Sequence, residues 1–560
     1  MGNKVKSHIF LIFFVVIFCN TLFATNYYID NTVGNDSNTG TSTTAPWLSF
    51  ANINNTVFQP GDSILFRAGQ SWSGILKPKG SGAKGLPITI SKYGKGSRPA
   101  INGDQSSNCT VHPGLKKTCA ILLYNQEYWV IRDLEITNYS SKEELGKTIN
   151  EWENDNVTLF ANVHHPPQIE EESTNSQKNS ILVEANNMGE VNSLHFINLE
   201  IHGTNGLNTF PTKTGGKANG GIYICVHNLG EDIPTYYDDI LIENCHIHDV
   251  DRTGIAFDSD YNDRTLTTNI NWTPWTNVIV RNNFFERTGG TGCIFRMAKN
   301  GLVEKNTFDH CSIKGSGMGI FNFNTDNAII QYNECRYTKY NVGDIDFGGL
   351  DSDFQTKNTI IQYNYSHNND GGFLITGGPG DKHFNDSTIV RYNVFLNNGR
   401  VNYDPKQNRI DNVLRISGGA TNTFIHNNIF YIGEEISKRA IFYHKLWGKR
   451  YSDQVTYFNN VIINKGSGNY VELTKSTNNV FTNNAYDGNS INMLPNQQNA
   501  IHKNLQSYWQ GEDNFRIDKN SPLIGAGINL IEMPKLDYYG NLVNEHKNIG
   551  IIQNIKNYKK

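Results

Sequence analysis

The segment DIDFGGLDSDF (344–354) carries four aspartates, Asp344, Asp346, Asp351 and Asp353, within ten residues. Clustered carboxylates suit two kinds of chemistry. Two carboxyl groups held about 5 to 9.5 Å apart can hydrolyse a glycosidic bond, with retention at the short end and inversion at the long end. The pool for such a pair is Asp258, Asp344, Asp346, Asp351, Asp353 and Glu472. Clustered oxygens also suit Ca2+, for which Asp344, Asp351 and Asp353 are the expected ligands. The EF-hand spacing with a closing Glu is absent, and aspartates in a turn also cap backbone amides.

Cations elsewhere open a different reaction, β-elimination on a uronic acid. The substrate carboxylate must be neutralised as charge develops, and a base must reach the C5 proton. Arg296 and Arg415 are candidate neutralisers; His444, Lys445 and, less favoured, Lys314 are candidate bases. The leaving group is either a sugar, which cuts the chain, or water. A carbon–oxygen lyase acting on an acidic polysaccharide or oligosaccharide is the first expectation. A glycoside hydrolase using two carboxylates, with Asp346 among them, is the alternative, and a non-catalytic glycan-binding protein is the third. Trp272 and Trp275 in NWTPWTN and Trp447 in HKLWGKR are candidate sugar-stacking rings, with Asp258 as a further substrate contact. Lys445, Lys449 and Arg450 add a local cationic patch suited to an acidic glycan.

These side chains need a frame, and the chain repeats one. Short apolar runs end at Asn283, Asn306, Asn333, Asn364, Asn393, Asn428, Asn460 and Asn484, spaced by 23, 27, 31, 29, 35, 32 and 24 residues. An irregular period with a floor in the low twenties predicts a solenoid with loops of varied length. Each repeat holds runs of period-two alternation separated by Gly, Asn and Asp, with no amphipathic helix between them. Three short strands per turn would stack on their copies into parallel sheets around one core. Asn tolerates the left-handed backbone of a sharp corner, and its amide can bond to the Asn one coil away. In the strand after this corner, alternation turns Phe257, Phe295, Ile345, Phe347, Ile416 and Leu473 inward. Asp258, Arg296, Asp344, Asp346, Arg415, Ser417 and Glu472 then face outward, with His444 undecided. Rungs about 4.8 Å apart would let these ionic side chains meet one sugar ring.

The pattern resembles the right-handed parallel β-helix superfamily that contains pectate lyases and related polysaccharide-active enzymes. The residues at 27–54 resemble the N-terminal cap of its secreted bacterial members, and SPLIGAGINL with 537–552 resembles their ending. The resemblance implies an all-β fold, lysine or arginine bases in lyases, and calcium in many of them. The polygalacturonase-like pairing of Asn-x-Asp with an Asp-Asp strand is incomplete, since NTD (324–326) lacks its second half.

The chain has 560 residues, 38% hydrophobic and 18% charged, with 51 Gly, 27 Tyr and 29 Phe. A net charge of -4 argues against a nucleic-acid binder, which would want a broad basic face. Residues 1–24 read as a secretory signal: Lys4 and Lys6, an apolar run at 9–18, then Ala24 before the cut. This predicts a secreted or periplasmic monomer without a membrane span; bulky Phe18 before Cys19 argues against a lipoprotein. Residues 25–555 are expected to form one domain, with a cap and first coil at 25–105, a charged loop insertion at 140–178 and a C-terminal cap at 485–555. Cys109 and Cys119 share a loop and suit a disulfide in an oxidising compartment; the other mature cysteines read as packing residues.

Overall fold

The computed structural model describes residues 24–104, 108–111, 116–139, 176–204, 216–230, 233–340, 346–402, 412–489, 497–505, 515–543 and 547–553. The described chain winds as a right-handed parallel β-helix. Its strands form three sheets of 18, 14 and 11 strands. One coil shows the order: Ile360–Gln362 lies in the first sheet, Tyr365–His367 in the second and Phe373–Thr376 in the third. The next coil begins again in the first sheet, with Ile389–Arg391 beside Ile360–Gln362 in parallel register. The first described strand, Asn26–Ile29, already pairs with Ser63–Arg67, and the one α-helix among the described residues, Phe50–Asn55, follows. No helix among the described residues is long and apolar enough to cross a membrane.

The corner between the first and second sheets is held by the recurrent asparagines. Asn306 donates its side-chain amide to Asn333 Oδ1 at 3.0 Å, and its backbone N–H donates to the same oxygen at 3.0 Å. The pattern continues from Asn283 to Asn484, with side-chain contacts of 3.0 Å at each step. The left-handed residue is not the ladder Asn itself but the one before it. Lys305, Tyr332, Tyr363 and Tyr392 have φ of 55°, 54°, 59° and 53°. Bulky residues pay a steric cost there, so the buried amide ladder must hold them in place. Inside the coil, rings stack one rung apart, as in Phe285–Phe308 at 4.6 Å and Phe395–Phe430 at 4.8 Å.

Two boundaries differ from expectation. The segment expected as a loop to residue 178 is already strand from Ser176, because Lys178 to Glu184 pair in register with Thr118 to Tyr124; residues 140–175 lie outside the described residues. Coils also continue into the expected C-terminal cap, where Ala485–Gly488 and Ile501–His502 still extend the second sheet. The residues of the expected signal lie outside the described ones up to 23.

Candidate active site

The third sheet presents two outward rows of side chains. One runs from Tyr223 through Ala256, Ile294 and Phe321 to Asp351, then Leu374 and Arg415. The parallel row, two residues further along each strand, holds Glu184, Cys225, Asp258, Arg296, Phe323 and Asp353. Asp351 and Asp353 are thus neighbours on one face of one short strand, Leu350–Ser352 and its continuation. The strand enters through Gly348 and Gly349, where any side chain would collide with the next coil or with Cys335 and Asn369. The aspartate strand therefore starts later than the alternation of 344–354 suggests. Asp346 falls in the loop before it, and Asp344 lies outside the described residues.

That loop is anchored on the preceding coil. The Asp346 carbonyl accepts from Gly317 N–H at 2.8 Å, and its N–H donates to Ser316 Oγ at 3.2 Å. Asp353 accepts from Phe354 N–H at 2.8 Å. Asp351 is 4% exposed and accepts from Thr376 Oγ1 at 3.3 Å. Burial pushes the Asp353 carboxyl up to about 7; Lys217 opposes the rise and Asp346 adds to it. Burial also pushes Asp351 well above the carboxylate range, and the charges of Asp353 and Asp346 push it further. The site therefore gathers three carboxyls that act on one another electrostatically, two of them favouring their protonated form. Lys217 enters from the short turn Gly216–Ala218, its ammonium 5.1 Å from the centre of the Phe321 ring.

The expected cations are only partly available. Arg296 is paired with Asp258 at 2.8 Å and lies 4.6 Å over Phe323. Arg450 is paired with Asp381, and Lys314 with Asp251 at 2.6 Å. Arg415 faces outward beside Leu374 and Tyr443, 6% exposed. Lys445 and Glu472 lie further along the sheet, next to Ser417 and Tyr443 respectively. The candidate base His444 is corrected: it shares register with inward Ile416 and sits in the core. There it bonds Tyr457 Oη at 2.8 Å and Ser476 Oγ at 2.7 Å, and burial pushes it down to about 3. Trp275 is corrected too, being fully buried at the edge of Tyr237, 4.8 Å away, so no sugar can reach it. The Trp272 ring is already covered by the Arg264 guanidinium at 3.6 Å. Trp447 is 40% exposed and lies 6.1 Å from Phe354, the residue after Asp353. Cys109 and Cys119 are buried thiols in contact, not a disulfide. Lys217 was not among the expected site residues; it sits on the turn Gly216–Ala218 outside any repeat, so only the fold brings it here, where Arg252 from the corner between His246–Val250 and Thr253–Ser259 acts on it.

No family model matches the chain. It is 26% identical over 495 residues to the lacto-N-biosidase of Bifidobacterium longum subsp. longum, covering 79% of this chain and 29% of that protein. The chain thus spans less than a third of the curated relative's length. The crystal structure of GH136 lacto-N-biosidase from Eubacterium ramulus superposes with a TM-score of 0.57 at 22% identity, covering 80% of this chain and 68% of that one. Its selenomethionine derivative gives 0.55 with the same coverage. These relatives are glycoside hydrolases, and they overturn the expectation of a carbon–oxygen lyase. The geometry supplies the physical reason: the proposed base His444 is sealed in the core and Arg296 is already bound to Asp258.

Proposed function

We propose that the chain is a glycoside hydrolase acting on an oligosaccharide, with Asp353 as general acid and Asp346 as the second carboxylate. The observation that carries this is the Asp353 carboxyl, pushed up to about 7 by burial beside Asp346. Such a group still carries a proton near neutral pH and can deliver it to the glycosidic oxygen. Asp346 then either attacks the anomeric carbon or activates a water for that attack. Asp351, buried and protonated behind the pair, positions it. Lys217, with Arg296 beside Asp353 and Arg415 beside Asp351, offsets the accumulated negative charge as the leaving group departs.

The relatives' names favour lacto-N-biosides among possible substrates. The pairing of Arg296 and Arg450 with the chain's own carboxylates removes the main reason to expect an acidic glycan. Trp447 is an exposed ring beside Phe354 and is proposed as the sugar platform. Calcium at Asp351 and Asp353 would have to displace protons that burial favours; we therefore propose activity that survives a chelator. Export by the N-terminal segment and action as a monomer complete the reading.

The test is a panel of neutral and acidic oligosaccharides and aryl glycosides, an aryl lacto-N-bioside included. New reducing ends that disappear in Asp353→Asn and in Asp346→Asn are expected. Undiminished hydrolysis by both variants, or no hydrolysis across the panel, would reject the proposal.

A further inference from the structure

Four rungs before Asp353 in the same outward row, about 19 Å away at ~4.8 Å per rung, lies a second cluster that the hydrolytic reading does not use. We propose that Glu184, Cys225 and His227 form a binding site for a thiophilic divalent cation, Zn2+ first among them. Glu184 and Cys225 sit on adjacent rungs in register, and His227 lies two residues beyond Cys225, its N–H bonded to Ala185 O at 2.9 Å. His227 Nε2 lies 2.8 Å from Glu184 Oε1 and 3.4 Å from Cys225 Sγ, and that sulfur lies 3.8 Å from the same carboxylate oxygen. A tetrahedral zinc with bonds of about 2.0 Å to N or O and 2.3 Å to S needs donors roughly 3.3–3.7 Å apart. The observed separations bracket that range, so small rotations suffice.

Two further observations point to a ligand. Glu184 is 0% exposed, and its Oε2 is buried without a hydrogen-bond partner. His227 Nδ1 lies 3.8 Å from Asp260 Oδ2, so a small rotation would let this outer carboxylate orient a metal-binding imidazole. The donor set of one thiolate, one imidazole and one carboxylate selects zinc or a similar metal over calcium or magnesium. At present the Lys117 ammonium is paired with Glu184 Oε1, the oxygen that faces His227 and Cys225, so the incoming cation would displace it from that atom. Binding would release the protons of Cys225 and His227, the thiol being held protonated by burial until then. Glu184 lies on one coil, Cys225 and His227 on the next and Asp260 on the one after, so the cation would tie successive coils together.

The full chain, stripped with chelator, would be titrated with Zn2+ against a chromophoric competitor and separately with Co2+. One saturable equivalent, a sulfur-to-cobalt charge-transfer band and a raised Tm are expected. Cys225→Ser should abolish the band. Asp260→Asn, at a half-exposed position that tolerates change, should weaken binding by roughly 10- to 100-fold. Absence of saturable binding would overturn the proposal. So would a band that persists in Cys225→Ser but vanishes in Cys109→Ser, or full affinity in both Asp260→Asn and His227→Ala. The last pair decides even if Cys225→Ser fails to fold.

Discussion

Replacing Asp353 with asparagine separates two quantities that burial ties together. An aspartyl carboxyl with an ordinary value of 3.8 sits at about 7 in the folded chain. Between those values the folded chain keeps a proton that the unfolded chain has lost, so stability declines as pH rises from about 4 to about 7. At about 1.36 kcal/mol for each pKa unit, the full decline is at most ~4 kcal/mol. Partial solvent access of the side chain lowers this to ~1–3 kcal/mol. The amide in Asp353→Asn does not ionise. The variant should therefore resemble the wild type near pH 4 and exceed its stability by ~1–3 kcal/mol at pH 8. Its kcat/KM should meanwhile fall by roughly 10²- to 10⁴-fold, the usual contribution of a general acid. Urea unfolding followed by tryptophan fluorescence at both pH values, beside turnover of an aryl glycoside, measures the two effects. A stability difference equal at pH 4 and pH 8, or none at pH 8, would refute the role given to burial; full turnover would refute the role given to the acid.

Other outcomes follow from the same geometry. Wild-type kcat/KM should drop as pH rises through about 7, where Asp353 loses its proton; a profile flat to pH 9 would count against that assignment. Asn364→Ala removes the acceptor for both the N–H and the side-chain amide of Asn333. At about 1–3 kcal/mol for each orphaned buried group, thermal unfolding should show a loss of ~3–5 kcal/mol. His444→Ala should cost ~2–4 kcal/mol by opening a cavity yet leave kcat of the folded fraction unchanged, as active-site titration would reveal. Lys305→Gly, at an exposed residue with φ of 55°, should raise stability by ~0.5–1 kcal/mol, since glycine bears no steric cost there.

Much of the frame is legible in the sequence because a coil repeats its own physics. Alternation puts Phe257, Phe295 and Ile416 inside and Asp258, Arg296, Arg415 and Glu472 outside, and the register agrees. It fails where both phases are apolar or polar together. His444 follows Tyr443, and only its pairing with Ile416 decides that it points inward. In 344–354 the period is the same for either start, and the twin glycines move the strand so that Asp351 and Asp353, not Asp346, take the outward places. Ion pairing is invisible for a different reason. Asp258 and Arg296 are far apart along the chain but one rung apart in space, so a candidate substrate cation is already satisfied. Lys217 sits on a turn outside the repeat, and nothing in its neighbours announces that it ends beside Asp353.

The amide ladder has a direction. Every oxygen from Asn306 to Asn484 receives hydrogen from the preceding coil, and every side-chain nitrogen from Asn283 to Asn460 gives to the following one. The small dipoles therefore add instead of cancelling, and each bond polarises the next. Melting such a column should be easiest at its two ends and hardest in the middle, where Asn364 is gripped from both sides.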